Sequence, residues 1–181
     1  LARWGADSVR VGIGGGSICS TRLVSGHGVP TFQSILDCAR SEHDVKIIAD
    51  GGIKTTGDMV KALAAGADFV MVGSMLAGTA ETPGQTFKSA EGKKYKVYRG
   101  MASSEAQNKW RGKSSTPEGV STTVPYKGKV ADILRDIEGG IKSGFSYSGA
   151  RNLKEFRAMS SLIRQTGAGQ VESNTHIMLR R

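Results

Sequence analysis

Three short runs of β-branched and apolar residues punctuate the first third of the chain, each closed by glycine: Ser8-Val9-Arg10-Val11-Gly12, Val45-Lys46-Ile47-Ile48-Ala49-Asp50-Gly51-Gly52 and Asp68-Phe69-Val70-Met71-Val72-Gly73. Their β-branched content and the glycine that ends each predict buried parallel strands. Between the first two, Ile35, Leu36, Cys38 and Ala39 fall at helical spacing. Between the second and third, residues 57–66 predict a helix with Thr55 or Thr56 as N-cap and a glycine as C-cap. Strand, helix, strand, helix, strand is the order of a right-handed α/β fold.

From Ala80 to about Lys127 the pattern dissolves into Gly, Ser, Thr, Lys and Pro, which predicts a long irregular loop. Helical spacing returns with Val130, Ile133, Leu134, Ile137 and Ile141, with a break expected at Gly139-Gly140, and again over Leu153–Met159. The polar tail over residues 165–181 is expected to be extended.

Composition narrows the class. With 181 residues, 38% hydrophobic and 23% charged, the chain has room for one globular domain, 1–181. No apolar run approaches the roughly 20 residues of a membrane helix, so no membrane partner is expected. The start, Leu1-Ala2-Arg3-Trp4-Gly5, lacks a signal-peptide pattern and reads as a point inside a longer protein. Two cysteines are too few for a disulfide scaffold, which points to a reducing, cytoplasmic setting. The net charge of +9 is scattered among acids and not interleaved with aromatics, so a phosphate-bearing small molecule explains it better than nucleic acid.

The densest chemistry lies in Gly12-Ile13-Gly14-Gly15-Gly16-Ser17-Ile18-Cys19-Ser20-Thr21-Arg22, a glycine-rich loop that follows a strand and carries a thiol. Glycines there let backbone groups approach a ligand or ion closely. A dinucleotide loop of Rossmann type would need a helix and an acidic residue that are not in the expected place. Taken alone, Cys19 could be a small buried hydrophobe, as Cys38 on its apolar helical face is expected to be.

The glycine-cysteine loop is similar to the catalytic loop of the IMP dehydrogenase/GMP reductase family. Further resemblances follow in order: Ile48-Ala49-Asp50-Gly51-Gly52-Ile53, Val72-Gly73-Ser74, Tyr98-Arg99-Gly100-Met101, Pro117-Glu118-Gly119 and Val124-Pro125-Tyr126-Lys127-Gly128. Together they span almost the whole chain. The resemblance implies the C-terminal portion of a TIM (β/α)8 barrel, about its last three strands, with the site at the strands' C-terminal ends. Half a barrel leaves a strand edge unpaired, an aggregation liability unless the rest is supplied.

Carried over by resemblance, Cys19 attacks the purine C2, and Thr21 and Glu118 handle protons. Asp50 holds the ribose; Ser17, Gly51, Gly52, Gly73, Ser74 and Tyr98 surround the 5′-phosphate; Gly100, Met101, Ala102, Glu118 and Gly119 approach the base. The carbonyls of Gly14, Gly16 and Cys19 would bind a potassium ion, and Arg22 either braces the loop or is a solvated charge. Dehydrogenases of the family carry a water-activating Arg-Tyr pair on a long flap. Residues 102–117 are short and offer only Trp110-Arg111. This favours an NADPH-dependent GMP reductase, a homotetramer when full length. The alternative is an NAD-dependent IMP dehydrogenase, which Tyr98-Arg99-Gly100-Met101 and the stretch Thr166 to His176 resemble more. A non-catalytic phosphate-binding fragment is the competing reading from another class. No residue for the nicotinamide is assignable.

Overall fold

The computed structural model describes residues 1–175. The expected strands form as β1 (Ser8–Val11), β2 (Lys46–Asp50) and β3 (Phe69–Met71), parallel and in the order β1-β2-β3. Val11 pairs with Ala49 and Ala49 with Val70, so the sheet's centre is lined by small and branched side chains. β1 and β3 are each paired on one side only, and among the described residues no closed barrel forms. On the open side of β1 a cavity of about 1000 Å³ runs between Trp4, Val9, Val11, Ile13 and Val29.

Glycine at the strand ends turns the chain back toward the layer of helices. α1 (Thr21–Ser25) is a single turn, and α2 (Thr31–Ala39) lays Ile35, 2% exposed, against the sheet. α3 (Thr56–Ala64) begins at Thr55, whose hydroxyl accepts from the Asp58 amide while the Asp58 carboxylate accepts from the Thr55 amide. It ends at Ala65, with Gly66 one position further on in the left-handed region at φ 115°. The Arg157 guanidinium donates to the free carbonyls of Gly66 (3.0 Å) and Ala67 (2.7 Å) and pairs with Asp68 at 3.2 Å.

Three expectations need correction. Residues 80–127 are not an irregular loop: they build an antiparallel sheet of β4 (Thr86–Lys88), β5 (Lys94–Arg99) and β6 (Ser121–Pro125), with α4 (Ser104–Arg111) between its last two strands. Second, α5 (Val130–Tyr147) continues through Gly139-Gly140. A Cβ on Gly140 would lie 2.5 Å from Thr56 Cγ2, and one on Gly144 would lie 2.7 Å from Val60 Cγ1. These glycines let α3 and α5 touch closely; they are contact positions, not breaks. Third, the tail holds a helical turn, α7 (Gly167–Glu172), capped by Thr166. His176 and the residues beyond it lie outside the described part.

The core joins Val11, Ile35, Ile47, Ala49, Met59 and Ala62 beneath Ile137 and Ile141 of α5. A second cluster closes around α6 (Leu153–Met159), where Phe156, 2% exposed, stacks on Phe145 with ring centroids 4.4 Å apart. This layer fixes the C-terminal ends of β1, β2 and β3, from which the glycine-rich loops emerge.

Candidate active site

The turn after β1 and the turn after β2 interlock. The Gly52 amide donates to the Gly15 carbonyl at 2.8 Å, and a Cβ on Gly51 would stand 2.6 Å from the Gly15 carbonyl carbon. Gly51 (φ 94°) and Gly52 (φ 75°) both sit in the left-handed region, so only glycine makes this approach without strain. Ser17, Asp50, Gly51, Gly52, Gly73, Ser74 and Tyr98 line one cavity of about 130 Å³. All seven residues assigned to phosphate and ribose by resemblance are thus brought together. The Tyr98 hydroxyl stands over Gly73, 3.0 Å from where a Cβ there would be, so the antiparallel sheet supplies the cavity's roof. Hydroxyls and glycine amides suit an anion better than an apolar ligand.

Two cationic side chains that sequence reasoning missed reach this cavity's wall. Arg10, on β1, pairs with the Asp50 carboxylate at 2.5 Å. Its signal was present: a lone charge between Val9 and Val11 in an otherwise apolar strand. Lys127 donates to the Ser74 carbonyl at 2.6 Å and to that of Met75 at 3.1 Å. Burial pulls its pKa below the ordinary lysine value. Lys127 thereby ties the end of β6 to the turn after β3.

Cys19 is half-buried, and its thiol donates to the Thr21 hydroxyl at 3.1 Å. The strip Glu118-Gly119-Val120 runs beside it. The Ser20 amide donates to the Glu118 carbonyl (2.8 Å), and the Val120 amide to the Ile18 carbonyl (3.0 Å). The other edge of the strip is bonded to the loop after β5: the Glu118 amide donates to the Ala102 carbonyl (3.1 Å), and the Gly100 amide to the Val120 carbonyl (3.1 Å). Cys19, Thr21, Gly100, Met101, Ala102, Glu118 and Gly119, drawn from three separate stretches, therefore form one surface. Met101 is 75% exposed on it, available to a ligand. A thiol with a hydroxyl partner, beside the backbone of Glu118, suits nucleophilic and proton-transfer chemistry.

Arg22 braces the loop rather than standing free: it donates to the Val29 carbonyl at 2.7 Å, and its side chain packs under Gly14 and Gly28. Gly14, Gly16 and Cys19 occupy one turn in which the Gly16 carbonyl accepts from the Cys19 amide at 3.1 Å. Each carbonyl keeps a second lone pair, and neutral oxygens are the donor type that hard cations accept. Among the described residues no cluster of three or more His, Cys, Asp or Glu could hold a metal ion.

Residues 1–176 match the family described as the IMP dehydrogenase/GMP reductase domain. The chain is 49% identical to inosine-5′-monophosphate dehydrogenase of Aquifex aeolicus over 97% of its length, and 48% identical to GMP reductase of Leishmania major over 95%. It spans 38% and 37% of those two proteins. A solved structure, a cysteine-to-alanine variant of GMP reductase from Trypanosoma brucei in complex with guanosine 5′-monophosphate, superposes with a TM-score of 0.92 at 46% identity. That alignment covers 97% of this chain and 38% of the other. The chain belongs to the IMP dehydrogenase/GMP reductase family of oxidoreductases.

Proposed function

We propose that the protein carrying this chain is a GMP reductase, converting GMP to IMP and ammonia with NADPH as the hydride donor. The observation that carries the reading is the stretch between Met101 and Glu118. It is a short, folded element, with Trp110 and Arg111 at the end of α4 and no tyrosine within it. A dehydrogenase must activate water to release its product, whereas a reductase needs no such water. The named ligand of the Trypanosoma brucei structure, guanosine 5′-monophosphate, supports a purine mononucleotide for the cavity between Ser17, Asp50, Gly73 and Tyr98.

In this reading the 5′-phosphate lies on the Gly52, Gly73 and Ser74 side of the cavity, and the ribose against Asp50, held in place by Arg10. The Cys19 thiolate attacks C2 of the purine, and the 2-amino group, once protonated, leaves as ammonia with the electrons of the C–N bond. Hydride from NADPH then adds to C2, and the C–S bond breaks to return the thiolate, giving IMP and NADP⁺. Thr21 and Glu118 move the protons to the leaving amine. A potassium ion on the carbonyls of Gly14, Gly16 and Cys19 would fix the conformation of the cysteine loop. The open edges of β1 and β3 would be met by the earlier strands of a barrel, and the assembly would be a homotetramer in the cytoplasm.

Dehydrogenase activity is the second reading, favoured by Tyr98-Arg99-Gly100-Met101 and by identities to dehydrogenases as high as those to reductases. Nicotinamide absorbance of the full-length polypeptide separates the two. GMP-dependent NADPH oxidation with ammonia release is expected. NADH formation from IMP with no reaction of GMP would overturn the reductase reading.

A further inference from the structure

Gln107, on α4, is 6% exposed, the most buried polar side chain between Met101 and Glu118 after Ser103, which caps the helix. Both ends of its amide are engaged. Nε2 donates to the Ala102 carbonyl at 3.0 Å, and Oε1 accepts from the Ser115 amide at 2.9 Å. The two partners are the ends of the flap. Ala102 precedes α4 and also accepts from the Glu118 amide, so one carbonyl receives both the carboxylate-bearing strip and Gln107. Ser115 lies on the return stretch, where the next residue, Thr116, has φ 38°, a left-handed conformation that a β-branched residue adopts only when held there.

We infer that Gln107 is a positioning residue: it locks the flap against the site and so fixes the backbone that presents Glu118 to the substrate. Without the clamp, the Ser115 amide turns to water and Thr116 relaxes toward a common backbone conformation. Pro117 and Glu118 follow Thr116 directly, so that relaxation moves the carboxylate. The lock also fits the chemistry, since a flap pinned at both ends serves a reaction in which no water has to be admitted and activated. That part, and the kinetic arm of the test, rest on the reductase reading; the lock itself does not.

The test uses the full-length polypeptide with Gln107→Leu, which keeps the buried volume and removes both hydrogen bonds. Deuterium exchange of peptides covering 112–118 should become faster, with exchange in β1, β2 and β3 unchanged. kcat for GMP reduction should fall on the order of tenfold to a hundredfold, while KM for GMP stays within about twofold, because the phosphate cavity is built elsewhere. Gln107→Glu keeps the acceptor for Ser115 but sets a carboxylate against the Ala102 carbonyl. Its kcat relative to wild type should therefore recover as pH falls and the carboxyl gains a proton to donate, a behaviour a merely structural side chain would not produce. Unchanged exchange over 112–118 in Gln107→Leu overturns the lock. Faster exchange with unaltered kcat overturns its role in presenting Glu118. If Gln107→Leu does not fold, Gln107→Glu decides by the same exchange and pH readings. Absence of GMP reduction in the wild type would instead strike the reductase reading and leave the exchange result standing.

Discussion

Adjacent glycines in α5 should respond to the same substitution with opposite signs. Replacing glycine by alanine inside a helix stabilises it by about 1 kcal/mol, through the backbone entropy lost by the unfolded chain. At Gly139 nothing lies within 4 Å of the added methyl, so Gly139→Ala should gain that amount. At Gly140 the methyl would meet Thr56 Cγ2 at 2.5 Å and Cβ at 2.8 Å, where carbon atoms prefer roughly 3.5–4 Å. A new Thr56 rotamer could move Cγ2, but not Cβ. The helices must then separate, and Thr56 is held by the Thr55–Asp58 capping box beside it. Overpacking of this kind costs about 1–3 kcal/mol. Gly140→Ala should be destabilised by up to about 2 kcal/mol after the propensity gain. Comparing the two variants removes propensity, leaving a difference of about 1–3 kcal/mol. With an m-value near 2 kcal/mol/M, urea midpoints should differ by roughly 0.5–1.5 M. A Gly140→Ala protein as stable as Gly139→Ala would refute the close α3–α5 contact and, with it, the reading of Gly140 as a packing position.

Other outcomes follow from the site. In the reductase reading, Cys19→Ala should abolish GMP reduction while calorimetry still records GMP binding, because the cavity proposed for phosphate and ribose is lined by Ser17, Asp50 and Ser74 and not by Cys19; residual turnover would remove Cys19 as the nucleophile. Gly119→Ala would bring a methyl to 3.1 Å from the Ser103 amide nitrogen and 3.3 Å from the Ala102 carbonyl carbon, whereas at Gly100 the nearest atom is 3.6 Å away. Initial rates should therefore show Gly119→Ala losing on the order of tenfold in kcat, and Gly100→Ala losing less. Asp58 is held below the ordinary aspartate pKa. Burial alone would raise it, but the amides of Lys54 and Thr55, the Thr55 hydroxyl and the Lys61 charge outweigh burial. A lowered folded pKa means the stabilisation is complete above the unfolded value of about 4 and is lost as pH falls through the lowered one. Urea midpoints of wild type and Asp58→Asn should accordingly differ at neutral pH and converge in that acid range.

The strands β1, β2 and β3 were legible because each is a short β-branched run closed by glycine, and α3 because its cap is local: Thr55, Asp58 and Gly66 lie within one short window. The antiparallel sheet was not legible. β4 is exposed along its whole length and β6 along most of it, so neither carries the alternation that marks a half-buried strand. β5 inverts the signal, since its buried position is Lys96, 3% exposed, whose ammonium is satisfied by the carbonyls of Ala80 and Thr82. Resemblance supplied the thiol, the aspartate and the glycines, to which it assigns direct ligand contacts. It gave Lys127 no role and did not supply Arg10 or Gln107; all three hold other groups, which shows only when their partners are in place.

The strip Glu118-Gly119-Val120 also explains how one scaffold can serve two reactions. Hydrogen bonds on both of its edges tie its backbone to the cysteine loop and to the loop after β5, so those three stretches share one framework. The stretch from Ser103 to Pro117 joins those ends, and through Gln107, bonded to Ala102 and Ser115, it bears on how firmly the Glu118 end is held. Identities of 49% and 48% to a dehydrogenase and a reductase are what such a division produces, because most of the aligned positions build the shared scaffold. The difference in chemistry is therefore to be sought in residues 103–117, above all in whether that element can leave the site to admit water or, as Gln107 arranges here, is held against it.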